Sequence, residues 1–182
     1  MVREYFDNYD TDARIARLPE VYGPNMNLNS TGLLGKLIQE LIHGEDLTIY
    51  GEGTQKEYYL YIDDAASGLV KALFSKKTKG KIYTLVEKDP YTTLELAFLL
   101  RNIANKQMQI NYAPATSTMG NRKYTPDTSN LNDIKWKPRT KIKEGIIETL
   151  ESFDYAINEH SFKPTKLIEQ KAQEVKIKKE AK

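Results

Sequence analysis

The side chains best suited to bind a polar ligand lie together in one segment, Tyr22-Gly-Pro-Asn-Met-Asn-Leu-Asn-Ser-Thr-Gly32. This segment has neither the helical nor the strand period of apolar residues, so it is predicted to be a loop. Its amide and hydroxyl groups donate and accept hydrogen bonds. Loops held at the end of a strand often carry binding sites, but the same composition suits a plain surface connection, and the residues leave the two interpretations about even.

The residue types argue against metal and thiol chemistry. The chain has no cysteine, which excludes both a disulfide framework and a thiolate metal site. Its two histidines, His43 and His160, are isolated from each other. Each falls at a predicted helix end, where a cationic imidazole is favourable without any ligand. We therefore expect no metal centre.

Composition sets the broad class. The 182 residues suffice for one ordinary domain, and 40% apolar and 10% aromatic residues favour a packed core over disorder. A net charge of +2 indicates no nucleic-acid partner. No apolar run approaches membrane-spanning length, and the N-terminus is charged rather than signal-like, so a cytoplasmic location is the expectation.

Apolar spacing predicts alternating strands and helices. Strands are predicted at 13–18, which Pro19 ends, and at 47–50, 58–62, 81–86 and 108–112. Helices are predicted at 2–9, 33–43 with Gly44 as the C-terminal glycine, from about 63 to 73, from Thr92 or Thr93 to about 105, 129–134 and 142–157. Trp136 is expected to pack as an anchor. The lysine-rich segment 76–81 is predicted to be a solvated turn.

Residues 47–73, LTIYGEGTQKEYYLYIDDAASGLVKAL, organise the rest of the prediction. Gly51 and Gly53 allow a tight turn, because glycine adopts positive φ easily. The aromatic run at 58–62 is expected to form a strand buried on both faces. Asp63 and Asp64 then stand where an N-cap and a first helical turn belong. The apolar face of the helix would be formed by residues at helical spacing: Ala65, Leu69, Ala72 and Leu73.

Three segments resemble the extended short-chain dehydrogenase/reductases, the NAD-dependent epimerases, dehydratases and decarboxylases of nucleotide sugars. They are the G-x-G-x-Q turn with its aromatic strand and I-x-D, RIARLPEVYGP at 14–24, and DTSNLNDIKWKP at 127–138. Their order matches the C-terminal half of that family. The resemblance implies an α/β fold over residues 1–162, made of the C-terminal part of a Rossmann-like parallel sheet plus a small mixed α/β substrate-binding domain.

The resemblance also implies parts that this sequence lacks. Family members bind NAD through G-x-x-G-x-x-G, whose glycines let the pyrophosphate approach the backbone and a helix N-terminus. Here Gly32-Leu-Leu-Gly35 lacks the third glycine. Members also carry Tyr-x-x-x-Lys on one helical face, yet none of the twelve tyrosines has a lysine four residues later. NAD, the family's cofactor, is therefore not expected to bind this chain alone, and no catalytic residue is assigned.

Matched position by position, the resemblance implies a substrate site. Thr48, Ile49 and Tyr50 match the segment beside the nucleotide base, although an ordinary packed strand explains them equally well. Tyr22 matches the segment near the nicotinamide and the sugar, which makes it the cofactor-binding candidate, although an aromatic packed under the loop is the plain alternative. The rest of the predicted substrate-binding set is Glu20, Asn25, Lys36, Glu57 and Arg122.

Three positions of the sequence depart from the family pattern. Glu20 stands where many relatives have Asn, Glu57 where they have a phosphate-pairing Arg, and Gly32 where several have Lys or Arg. A carboxylate repels phosphate, and two like charges roughly 4 Å apart oppose each other by about 4 kcal/mol at an effective dielectric of about 20. Three cations could compensate for these carboxylates: Lys36, Lys56 and Arg122. The alternative for each is a solvated surface charge.

Two functions follow as hypotheses. The chain is either the substrate-binding portion of an NAD-dependent nucleotide-sugar epimerase, dehydratase or decarboxylase, or a non-catalytic binding or assembly module derived from that family. A nucleotide sugar and further copies of the chain are the expected partners, since strands 13–18 and 58–62 would leave unpaired edges. Residues 163–182 are predicted to be a frayed or disordered lysine-rich tail, and nucleic-acid binding through that tail ranks below both functions.

Overall fold

A computed structural model describes residues 2–29, 32–104, 108–115 and 125–155. The predicted tail at 163–182 and the candidate Arg122 lie outside these ranges, so those predictions stand untested. No helix within the described ranges is long and apolar enough to cross a bilayer.

Helices and strands alternate along the chain, which confirms the predicted α/β class. The α-helices of the described ranges are α1 Val2–Tyr9, α2 Leu33–His43, α3 Ile62–Phe74, α4 Thr93–Ala104 and α5 Ile142–Glu151. A 3₁₀ helix, Ser129–Ile134, precedes α5. The strands are β1 Ile15–Arg17, β2 Glu20–Tyr22, β3 Leu47–Tyr50, β4 Lys56–Glu57, β5 Tyr59–Tyr61, β6 Ile82–Thr84, β7 Tyr91–Thr92 and β8 Ile110–Ala113.

Most of the strand pairing is parallel. β1 pairs with β6, β2 with β5 and β3 with β8 in parallel, whereas the short β4 and β7 pair antiparallel. Parallel partners come from distant parts of the sequence because a crossover must return the chain to the same end of the sheet. Here α2 and α3 lie within these crossovers.

The extended segment that contains Pro19 changes partner at that residue. β1 ends at Arg17 against β6, and β2 resumes at Glu20 against β5. Proline has no N–H to donate to a ladder, so the interruption falls where the sequence predicts it. Residues 13–18 were expected to form one strand, and Pro19 turns out to join two strands of different sheets.

The core consists of two clusters that meet at β5. Tyr59 and Tyr61 belong to a larger cluster with Tyr22 and apolar residues of α2, α4 and α5. Leu60, between them, belongs to a smaller cluster that includes Tyr83 and Trp136. Alternate side chains of a strand point to opposite faces, so β5 is buried on both faces as predicted.

Helix α2 matches its prediction and α3 differs from it. Gly44 ends α2 with φ 72°. α3 begins at Ile62 with Tyr61 as its N-cap, so Asp63 and Asp64 both lie in its first turn, and neither is the N-cap. Helix ends depend on where a preceding strand stops, and here β5 runs directly into α3.

The predicted apolar face of α3 is half wrong. Ala65 and Ala72 are buried as expected, but Leu69 and Leu73 are 41% and 52% exposed. The helix packs through its small residues, and a Cβ built on Gly68 would lie 2.7 Å from Leu85 Cδ1. This close approach turns the larger side chains outward. The exposed apolar residues of α3, hereafter the α3 patch, are Ile62, Leu69, Val70, Leu73 and Phe74.

Candidate functional site

Two buried tyrosines lie side by side at the carboxyl ends of β2 and β5. Tyr22 and Tyr61 are register partners, their ring centroids are 5.7 Å apart and the rings meet edge to face. Their exposed fractions are only 2% and 5%. In open α/β sheets, ligands bind in the crevice outside the carboxyl ends of the strands. This edge is therefore the first place to look for a site.

Both phenols are protonated at neutral pH, and burial makes their ionisation still less favourable. Burial is the main cause that raises the pKa of Tyr22, and the nearby Glu87 carboxylate adds to the shift. Burial likewise raises the pKa of Tyr61, whose hydroxyl donates a hydrogen bond to Glu148 of α5. Burial and Glu87 raise the pKa of Tyr91, close by, to about 12. At neutral pH these groups donate hydrogen bonds and do not act as bases.

A glycine of α5 makes the approach of this helix possible. A Cβ on Gly145 would lie 2.6 Å from the Tyr22 hydroxyl and 2.7 Å from Tyr61 Cδ2. α5 also reaches the polar loop after β2, because the Asn25 N–H donates to the Ser152 hydroxyl at 3.0 Å. Asn25 has φ 58°, a left-handed conformation that Asn tolerates. The loop that contains Asn25 is thus held against the end of α5.

Four predicted residues lie near one another on α2 and β3. The Lys36 ammonium donates to the Tyr50 hydroxyl and lies 4.0 Å from the centroid of that ring. The buried Glu40 carboxylate accepts the Thr48 N–H at 2.8 Å. Ile49 points the other way, into the core, with no exposed surface. Contacts from this strand to a ligand would therefore come from Thr48 and Tyr50, which are half-buried.

The two carboxylates that depart from the family pattern line one cavity. Its volume is about 120 Å³, and its lining includes Glu20 at the start of β2 and Glu57 in β4. Arg17 provides the cation of the lining, which leaves two carboxylates against one guanidinium. The remaining lining residues are Leu18, Pro19, Tyr58, Thr84 and Val86. The predicted residues thus fall in three groups: Tyr22 and Asn25, Lys36 with β3, and Glu20 with Glu57.

The structure also reveals a buried carboxylate that the sequence analysis treated only as part of a helix start. Asp64 is 5% exposed, and its carboxylate accepts the N–H groups of Arg139 at 3.0 Å and Thr140 at 2.9 Å. The Asp64 carbonyl accepts the Trp136 indole N–H at 3.2 Å. Trp136 is the predicted anchor and is confirmed. The partners of Asp64 lie 75 and 76 residues away, so no local signal could have revealed them.

Glu87 and Glu148 were also missed, although both adjoin the tyrosines. Glu87 follows β6, and burial raises the pKa of its carboxyl, with Asp89 adding to the shift. A polar residue just after a predicted parallel strand is the signal that could have singled out Glu87. Among the described residues, no group of His, Cys, Asp or Glu side chains is arranged to hold a metal ion.

The sequence profile of the NAD dependent epimerase/dehydratase family matches residues 1–85. UDP-glucuronic acid decarboxylase 3 of Arabidopsis thaliana is 28% identical over 156 residues, which are 85% of this chain and 45% of that protein. UDP-glucuronic acid decarboxylase 1 of Danio rerio is 26% identical over 154 residues, 84% of this chain and 36% of that protein. The chain thus spans less than half of the curated relatives it matches.

Solved structures share the fold. UDP-glucose 4-epimerase from Thermotoga maritima superposes with a TM-score of 0.76 at 21% identity, over 83% of this chain and 48% of that one. UDP-glucuronic acid 4-epimerase from Bacillus cereus, in complex with UDP-glucuronic acid and NAD, gives 0.75 at 23% identity over 84% and 48%. The profile match over residues 1–85, the relatives and the shared Rossmann-like fold make this chain similar to the NAD-dependent epimerase/dehydratase family, and it spans about half the length of the proteins it matches.

Proposed function

We propose that this chain is the substrate-binding half of an NAD-dependent nucleotide-sugar epimerase, dehydratase or decarboxylase. The glycine-rich NAD motif and the catalytic Tyr-x-x-x-Lys would then lie outside these 182 residues. The observation that carries the proposal is the pair Tyr22 and Tyr61 at the carboxyl ends of adjacent parallel strands, in a chain whose relatives are named for UDP-sugar chemistry.

The geometry supports a binding role and not a proton-transfer role. Tyr22 is a neutral phenol at pH 7, and burial moves its pKa further from neutrality, so it would donate a hydrogen bond to a sugar hydroxyl or a cofactor group. Thr48 and Tyr50 would face the nucleotide base, with Lys36 beside them. Asn25 would close the site from the loop after β2. NAD, which the Bacillus cereus neighbour holds, would need the other half.

The rival function is a non-catalytic binding or assembly module. The α3 patch supports it, since its five large apolar side chains are between 41% and 76% exposed. Contiguous exposed apolar surface marks an interaction site. Self-association through this surface predicts that light scattering finds oligomers at micromolar concentration. A monodisperse monomer would remove the support for assembly.

A thermal-shift titration of the 182-residue chain tests the first function. The ligands are UDP, dTDP, GDP and CDP, their nucleosides, and NAD. We expect the ligands that carry one particular base to raise the melting temperature, because a ligand that binds only the folded state stabilises it. NAD should have no effect. If no nucleoside, nucleoside diphosphate or sugar nucleotide binds at millimolar concentration, the function is wrong.

A pair of tyrosine variants locates the response. Tyr50→Ala should abolish the base-specific shift, since it removes the ring beside Lys36. Tyr112→Ala is the matched control, because Tyr112 lies on the neighbouring strand β8 and is 61% exposed. An equal loss in both variants would place the ligand elsewhere.

A further inference from the structure

The carboxylate of Glu20 lies directly against the N-terminal end of α2. A Cβ built on Gly32, the N-cap of that helix, would lie 2.4 Å from Glu20 Oε2 and 2.8 Å from Glu20 Cδ. Only glycine leaves room for the carboxylate in this position. The glycine also leaves α2 without a capping side chain of its own, and the Glu20 carboxylate lies where such a side chain would stand.

The first turn of α2 favours the negative charge. The backbone N–H groups of Leu33, Leu34 and Gly35 act to lower the pKa of Glu20, but burial outweighs them and the pKa is raised overall. Glu20 Oε1 is buried and has no hydrogen-bond partner within the described ranges. The attraction is therefore between a charge and the helix end, without a full set of aligned hydrogen bonds.

The surroundings of Glu20 are short of positive charge. Glu57 lines the same cavity and raises the pKa of Glu20 further. The Tyr59 hydroxyl, near both carboxylates, is buried and unpaired within the described residues. Lys36, one turn into α2, donates a hydrogen bond to the Tyr50 hydroxyl, and its ammonium lies 3.8 Å from the Glu40 carboxylate. A second anion placed here would meet two carboxylates and a single guanidinium, that of Arg17.

Backbone N–H groups at a helix N-terminus are a general binding place for phosphate. In this chain that place already holds an anion. We infer that Glu20 is a specificity-determining residue, an internal anion that occupies the N-terminus of α2 and keeps ligand phosphate groups away from it. The inference rests on the proposed function for the kind of ligand, a nucleotide, but not for the position of the carboxylate.

Isothermal titration of the full chain with three probes tests the inference. UDP carries base and phosphate, uridine carries the base alone, and pyrophosphate carries the anion alone. Glu20→Gln keeps the shape of the side chain and removes its charge. Glu52→Gln, an exposed carboxylate in the Gly51–Gly53 turn, is the control. Glu20→Asn, with a shorter side chain, serves if the glutamine variant does not fold.

In Glu20→Gln we expect UDP and pyrophosphate to bind at least about tenfold more tightly than in the native chain. Uridine affinity should be unchanged, and Glu52→Gln should behave as native. A gain for pyrophosphate with no uridine binding in any variant would support the inference and count against the proposed function. Uridine and UDP that bind equally in native and variant chains would overturn the inference and leave the function standing. Failure of pyrophosphate and UDP to gain affinity overturns it in every case.

Discussion

Asp64 is a buried carboxylate and Glu20 a half-buried one, and their hydrogen bonding differs. Both oxygens of Asp64 accept hydrogen bonds from backbone N–H groups. Glu20 has one oxygen buried without a partner in the described part of the chain. Asp64 connects the start of α3 to the segment before α5. Glu20 lies against the N-terminal end of α2, which would attract any anion.

The difference shows that burial alone does not tell what a charged residue does. A fully hydrogen-bonded carboxylate is part of the framework, because its loss leaves several donors unsatisfied. A carboxylate with few hydrogen-bond partners loses its hydration without stabilising the fold in return. Such a residue is a candidate for a role in ligand selection. Four measurements test the contrast, in order of expected effect.

Asp64→Ala should lower the free energy of unfolding by roughly 3 kcal/mol, since it leaves the N–H groups of Arg139 and Thr140 without a charged acceptor. Chemical denaturation measures the change. Asp63→Ala removes the exposed neighbour in the same helical turn and should cost about 0.5 kcal/mol. Similar losses in the two variants would mean that the Asp64 network contributes little.

Trp136→Phe should lower the free energy of unfolding by about 2 kcal/mol. The indole N–H donates to the Asp64 carbonyl and to the Ser67 hydroxyl at 3.0 Å, and phenylalanine removes both bonds and leaves a small void. The double variant with Asp64→Ala should lose less than the sum of the single losses, because both residues hold the segment 136–140 against the start of α3. Strict additivity would contradict that.

Glu20→Gln should leave the free energy of unfolding at pH 7 unchanged or raise it by up to about 1 kcal/mol. The variant loses the attraction to the N-terminal end of α2 but also removes a half-buried charge that is only partly compensated. Denaturation beside the Asp64→Ala experiment gives the comparison directly. A loss of 2 kcal/mol or more would make Glu20 a framework residue like Asp64.

The pH dependence of stability should distinguish Glu20 by its sign. Its pKa is raised in the folded state, chiefly by burial, so between the ordinary carboxyl pKa and the raised value the folded chain holds more protons than the unfolded chain. Stability therefore falls as pH rises through that window and is restored as pH falls below it. Glu20→Gln should lack this component, while the raised pKa of Glu87 contributes equally to both chains. Parallel pH profiles for the two chains would contradict the assignment.

Local patterns predicted the elements well. The apolar stripe and Gly44 defined α2. Of the two threonines predicted to cap α4, Thr92 is the cap, since its hydroxyl accepts the Glu95 N–H at 3.2 Å. The buried run at β5 was visible because aromatic residues occupied successive positions. These features depend on neighbours within a turn or two.

The candidate site was predicted only in part. The spacing of Lys36 and Tyr50 could not show that the two side chains form a hydrogen bond. No residue near Glu20 in the sequence indicated that the N-terminal end of α2 would lie against it. The outward turn of Leu69 and Leu73 depends on Gly68 meeting Leu85 and Trp136. Contacts between segments tens of residues apart decide such details, and a single sequence carries no direct signal of them.

Pro19 also bears on how the chain opens. The segment 15–22 takes part in two strand pairings, and Pro19 between them has no N–H to donate to either. Separation of β1 from β6 therefore does not require β2 to separate from β5. β2 is held by the larger cluster through Tyr22, whereas the side chains of β1 are more open to solvent. Local opening proceeds in cooperative units. One continuous stretch of backbone thus belongs to two such units, and its amide protons should exchange with solvent at two distinct rates that change at residue 19.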